Sequence, residues 1–211
     1  MPSNTFFNLH PEKQEAILGA AKNEFSSVPF AEVSINRIVK DANIARGSFY
    51  MYFRDIYDLV DYLMRQFRDD LFQKMRLQLI IRQGDLFEAM LDLHDDLYKQ
   101  YEDQKERLFF MNLASHFHSD LSAHMQRTEE MMERFNTIES LVRLIDRDKY
   151  EFESSRDGLR LIEVTFILLR HQLYQSMVRS YNMKDARQSL ANQYKLLFYG
   201  VAKQKASETP C

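Results

Sequence analysis

"NIARGSFYMYFRD", residues 43–55, crowds Phe49, Tyr50, Tyr52 and Phe53 beside Gly47 and between Arg46 and Arg54. A buried strand accounts for the aromatics but not for the arginines and the glycine. A short helix that leans on a core with one side and presents the other to a polyanion accounts for all of them. The flanks support that reading. Upstream, Ser34 can cap a helix whose buried side is Ile35, Ile38, Val39 and Ala42, with Val33 and Ile38 placed as a hydrophobic staple. Asn43 tolerates a left-handed backbone and can end that helix without glycine. A second short helix then runs from about Ala45 to Tyr52. Downstream, Asp55 can cap a long helix, with Asp58 three residues on completing a box-like pair.

A capped helix, a tight turn and a second helix make a helix-turn-helix. Its corner would be closed by Ile38, Val39, Ile44 and Phe49 against Ile17, Ala21 and Phe25 of a first helix that opens at Pro11, where a missing N–H does no harm. In this motif the exposed start of the second helix enters the DNA major groove. Arg46 can reach a phosphate or pair with guanine, and Ser48 is a short donor. Tyr50 and Tyr52 carry hydroxyls for phosphate oxygens, while their rings brace the motif. Gly47 weakens the helix by about 1 kcal/mol relative to alanine, a cost offset if nucleic acid must approach closely. Phe53 turns the other way, into the core.

Bulk properties neither demand nor forbid such a role. The chain has 211 residues, a net charge of −3 and a pI near 6.1. Residues 1–55 carry Lys13, Lys22, Arg37, Lys40, Arg46 and Arg54 against an equal number of acidic residues. DNA contact must therefore rest on where charge is placed. Cys211 is the single cysteine, so intramolecular disulfides and paired-cysteine zinc motifs are excluded. The N-terminal residues do not form a signal peptide, and no run of about 18 apolar residues is long enough to span a membrane. A cytoplasmic location is expected. Between Phe30 and Thr209 there is no proline, which permits long helices. Apolar spacing reads helical from Leu59 to Leu79, and then over 86–102, 106–118, 120–146, 155–180 and 184–202. Breaks are expected at 82–85, 103–105, near His118–Asp120, at 146–153 and at 181–183. Asn182 and Asp185 are suited to cap the last helix. Strand-like alternation is absent, so the expected fold is all-α.

The stretch "AEVSINRIVKDANIARGSFYMYFRDIYDLVDYL" resembles the DNA-binding domain of the tetracycline-repressor (TetR) family, over about residues 8–64. The resemblance implies DNA-facing roles for Ser34, Arg46, Gly47, Ser48, Tyr50 and Tyr52, and a base-reading role for Met51. Three positions depart from the pattern. Asn43 stands where glycine is usual and Ala45 where serine is usual. Ile56 replaces a phosphate-binding lysine, a charge Arg54 can supply instead. The family resemblance further implies a C-terminal helical domain that binds a ligand and pairs with a second subunit through its last two long helices. The expected division is a DNA-binding head over 1–54, an effector-binding and dimerisation domain over 55–203, and a flexible tail over 204–211.

Within the C-terminal part, Tyr98, Phe109, Phe110, Met90, Met111 and Phe117 are candidates to line a hydrophobic effector cavity. His94 and His171 are candidates to orient a polar head group. The segment 155–180 is apolar on two sides, which calls for two neighbours. Leu161 and Leu168 there, with Leu190, Tyr194, Leu197 and Val201 on the last helix, are the expected homodimer face. "HFHSDLSAH" places His116, Asp120 and His124 on one helix face. At 1.5 Å rise per residue the outer two are about 12 Å apart, too far for one ion. No metal, cofactor or catalytic constellation is expected. The reading is a dimeric, ligand-responsive regulator, most naturally a repressor, on a pseudo-palindromic double-stranded operator. The rival is an architectural DNA-binding protein without an effector.

Overall fold

A computed structural model describes the backbone of residues 1–120 and 137–199 and the side chains of 1–112 and 137–199. Every regular element among them is helical. In chain order these are α1 (Asn4–Phe7), α2 (Pro11–Ser27), a 3₁₀ turn (Phe30–Glu32), α3 (Ile35–Asp41), α4 (Arg46–Tyr52), α5 (Ile56–Ile81), α6 (Leu86–Gln100) and α7 (Gln104–Asp120). A helical stretch over 137–142 (α8), α9 (Ser155–Arg179) and α10 (Met183–Tyr199) complete the order.

Local chemistry sets most of the boundaries. Pro11 opens α2. Asn43 takes the left-handed conformation at φ 50°, and the Ile44 N–H closes on the Val39 carbonyl at 2.9 Å. Asp55 caps α5 by accepting from the Asp58 N–H at 2.9 Å. The box is not reciprocal, because the Asp58 carboxylate accepts from the Arg54 N–H and pairs with the amine of Met1 instead. Asn182 caps α10 through the Asp185 N–H at 2.9 Å. Gly84, at φ 81°, turns the chain between α5 and α6. A Cβ there would lie 2.5 Å from the Asp146 nitrogen, so only glycine fits.

Four expectations need correction. Residues Asn4–Phe7 form a helix that the apolar pattern did not announce. Ser34 precedes α3 but its side chain makes no cap, while its own N–H donates to the Glu24 carboxylate at 2.8 Å. Helix α7 runs to Asp120, two residues past its expected end at His118. The helix expected over 120–146 ends by residue 142 and gives way to turns. The side chains of Phe117, His116, His118, Asp120 and His124 lie outside the described residues, as does Val201.

Two apolar clusters organise the chain. The first joins Phe6, Ile17, Phe25, Ile38, Phe49 and Phe53 with Leu59 and Leu63 of α5 and, from far along the chain, Phe109 of α7. The second gathers Met75, Leu86, Leu97, Leu141, Ile162 and Tyr194 among α5, α6, α8, α9 and α10. Helix α5 contributes to both, its start to the first and its end to the second. No helix among the described residues is long and apolar enough to cross a membrane.

Candidate nucleic-acid interface and effector cavity

Helix α4 is fixed from three directions. Phe49 and Phe53 are fully buried with their rings 5.6 Å apart, against α2 and α3. Phe6 of α1 sits 4.9 Å from the Phe53 ring. The arm before α1 then serves the end of α4: the Ser3 N–H donates to the Tyr52 carbonyl at 2.8 Å and the Ser3 hydroxyl to the Met51 carbonyl at 2.6 Å. These carbonyls are among the acceptors that a helix end leaves unpaired. The sequence reading missed this brace. The available signal was the Ser3–Phe6 spacing, too short a pattern to separate from a loop.

Bracing leaves one side of α4 free. Arg46, Gly47, Tyr50 and Met51 are exposed, the last two at 48% and 59%, and Ser48 is half-buried. Arg46 donates to Asn36 of α3 at 2.7 Å and to the Tyr50 hydroxyl at 3.4 Å, with its guanidinium 6.0 Å from the Tyr50 ring centre. The three form one polar group across the motif, and Asn36 is a member the sequence did not single out. No side chain lies within 4 Å of a Cβ added at Gly47. Tyr52 is buried, its ring 6.3 Å from Phe6, and it belongs to the brace. Arg54 is exposed with its guanidinium 3.9 Å from Asp58. Ala45 offers no cap to α4. Behind the motif, Arg37 is committed to Glu24 at 2.8 Å. Burial works to raise the Glu24 pKa, but the Arg37 guanidinium and the Ser34 N–H together hold it below the usual carboxylate value.

Two neighbouring half-open cavities lie among the described C-terminal helices. The larger, about 460 Å³, is walled mainly by Phe67, Phe72, Phe110, Ile138, Phe166 and Leu169, with Arg68, Glu163 and Arg170 also bordering it. The smaller, about 270 Å³, is more polar and includes Tyr98, Glu102, Arg107, Ser176 and Asn182. Tyr101 and Leu173 border both. Of the expected effector residues, Phe110 and Tyr98 therefore face these spaces, one each. Met111 is half-buried outside both walls. His94 is fully buried with Nδ1 3.0 Å from Asp95, and burial lowers its pKa and keeps it neutral. His171 is exposed on α9, so it cannot orient a head group inside. Tyr101 is the residue sequence reading passed over; it stacks on Phe110 at 4.8 Å and 29°.

The outer side of α9 carries an apolar stripe. Val164, Ile167, Tyr174 and Val178 are exposed at helical spacing around His171, with Ile167 at 55% and Val178 at 54%. Leu196, Leu197 and Tyr199 on α10 are exposed as well. Leu190 and Tyr194, expected at a subunit face, are instead fully buried in the chain's own core, where the Tyr194 hydroxyl donates to the Thr165 carbonyl at 2.9 Å. Leu161 and Leu168 are half-buried against the same core.

Residues 17–63 match the family model described as bacterial regulatory proteins, tetR family, and residues 85–201 match a tetracyclin repressor-like C-terminal domain. The fold resembles a TetR family transcriptional regulator from Chloroflexus aurantiacus, with 22% identity, a TM-score of 0.50 and coverage of 95% of this chain and 98% of that one. A Clostridium perfringens protein described as a candidate fatty acid metabolism regulator superposes with a TM-score of 0.58 at 18% identity, covering 90% of this chain and all of its own (100%). NalD of Pseudomonas aeruginosa, the secondary repressor of the MexAB-OprM multidrug efflux pump, does so with a TM-score of 0.53 at 19% identity, over 92% and 98%. No curated protein sequence matches.

Proposed function

The chain belongs to the tetR family of bacterial regulatory proteins, which are transcriptional regulators and not enzymes, and on that premise we propose that it is a homodimeric repressor released from a pseudo-palindromic operator by a small apolar effector. Residues Arg46, Gly47, Ser48, Tyr50 and Met51 read the operator from the free side of α4, Arg46 and Tyr50 acting together with Asn36. Ser34 and Arg54 flank them toward the phosphates.

One observation carries the effector half of this reading. Phe109 and Phe110 are consecutive on α7, yet Phe109 is buried in the cluster that holds α4 while Phe110 lines the larger cavity. The next turn adds a polar tie, with the Asn112 amide donating to the Phe25 and Val28 carbonyls at 2.8 and 3.1 Å. A ligand that displaces Phe110 moves the rigid element on which the head is seated. Because it binds one arrangement better than the other, it shifts the balance between them. Coupling of this kind has a physical path through both α5 and α7.

Selection of duplexes from a random library tests the DNA half. A two-fold symmetric motif with half-sites about one helical turn apart is expected. Arg46→Ala lowers affinity about ten- to a hundredfold with unchanged helical content, the loss of one good bidentate contact. Uniform binding that depends only on salt, and is indifferent to Arg46, favours the architectural rival.

A further inference from the structure

Tyr101 combines three properties that no other residue bordering the cavities shares. It borders both of them. Only 4% of it is exposed. Its hydroxyl has no hydrogen-bond partner among the described residues. A buried, unpaired hydroxyl is costly, so native structures rarely keep one without a use. The ring is held by its stack on Phe110, but no bond holds the hydroxyl where it is. A small rotation that brings it into either cavity therefore breaks nothing.

We propose that Tyr101 is the specificity-determining donor of the effector site, and that the ligand is an uncharged apolar molecule bearing one hydrogen-bond acceptor, such as a ketone, ester or amide carbonyl. This rests on the effector reading above and narrows it to a chemical class. The larger cavity, at about 460 Å³ with phenylalanine walls, falls in the range of sites that enclose a small ligand. The acceptor is neutral because the walls of the larger cavity are mainly aromatic and aliphatic, surroundings in which an unpaired charge is costly. Burial first, and then the carboxylates of Glu106 and Asp70, push the Tyr101 pKa far up. The group stays a protonated donor at physiological pH. A lone donor in apolar surroundings favours a ligand that pairs it by about the value of one hydrogen bond.

Three probes of equal length separate the possibilities: nonane, nonan-2-one and nonanoate, each scored by displacement of Nile red from the full chain. Nonane reports whether the cavity accepts apolar matter at all. The expected order is nonan-2-one tightest, by about three- to tenfold over nonane, the value of one hydrogen bond. Tyr101→Phe should abolish that difference and leave nonane unchanged. The same variant, measured without ligand, should melt at a higher temperature than the parent, because it removes a polar group that has no partner. A lower melting temperature would show that the hydroxyl is already bonded and would overturn the assignment. Equal binding of nonane and nonan-2-one by the parent would also overturn it, while leaving the effector reading intact. Tightest binding of nonanoate, lost in Arg107→Gln, would replace it with an anion site. Failure of all three to displace the dye would remove the effector reading itself, and this proposal with it.

Discussion

Gly47 and Gly84 show how two identical residues carry opposite information. Gly84 is fixed by backbone: its φ is 81° and a Cβ would strike the Asp146 nitrogen and the Leu144 carbonyl. Gly47 sits at the start of α4 with open space around it, and nothing in the fold requires it. Alanine there should stabilise the chain by about 0.5–1 kcal/mol, the usual difference in helix propensity. If a phosphate or base edge approaches this backbone, the same methyl weakens operator binding. Gly47→Ala is therefore expected to raise the melting temperature and lower affinity, read by thermal denaturation and by binding to the selected duplex. Unchanged affinity would place the DNA elsewhere on α4. At this scale the sequence was legible where one residue type answers to one backbone need, as at Asn43. It was not legible where partners come from far along the chain. Ser34 looked like a cap, but its side chain makes none, and its N–H is bound by Glu24 from ten residues away. The ring of Tyr52 was expected to brace the motif, but its partners Ser3 and Phe6, nearly fifty residues away, were not.

Among the elements, those that carry their own start signals were read to within a residue or two: Pro11 for α2, Asp55 for α5, Asn182 for α10. Those lacking one were not. Helix α1 is four residues long and exists because Phe6 is buried against Phe53, a tertiary cause invisible to local pattern. Helix α7 was expected to belong wholly to the C-terminal domain, yet Phe109 and Asn112 give it to the head as well. Its bond to the Phe25 and Val28 carbonyls satisfies acceptors around the end of α2, where no intrahelical donor remains. Asn112→Ala should cost about 1–3 kcal/mol, since the carbonyls are left part-buried without that donor. Amide exchange should speed up over Lys22–Val28 and remain unaltered in α9. Uniform acceleration across both would mean that head and body open as a single unit, with α7 serving as no separate link.

Over the whole molecule, the residues that periodicity placed on a subunit face divide: Leu197 is exposed, whereas Leu190 and Tyr194 are buried in the chain's own core. Leu161, Leu168, Leu190 and Tyr194 repeat as an interface would, but they repeat equally well as a core, and the fold buries Leu190 and Tyr194 at home. Apolar spacing alone cannot separate these two uses, because both demand dry neighbours. Exposure separates them. Val164, Ile167, Tyr174 and Val178 form a stripe on α9 that nothing among the described residues covers, and Leu196 and Leu197 continue apolar surface on α10. A two-fold axis beside this stripe would lay α9 and α10 against their copies and set two α4 helices for successive grooves. Val178 borders neither cavity, so it tests assembly without touching the effector site. Val178→Glu would place a carboxylate on the apolar stripe of each subunit, directly opposed if the axis passes close by. The variant is expected to run as a monomer in light scattering while keeping its helical content. Operator affinity should then fall by about 10²–10⁴, because the second half-site is no longer tethered to the first. A dimer that survives Val178→Glu but dissociates with Ile80→Glu would move the interface to the end of α5, where Leu77, Ile80 and Ile81 are also exposed.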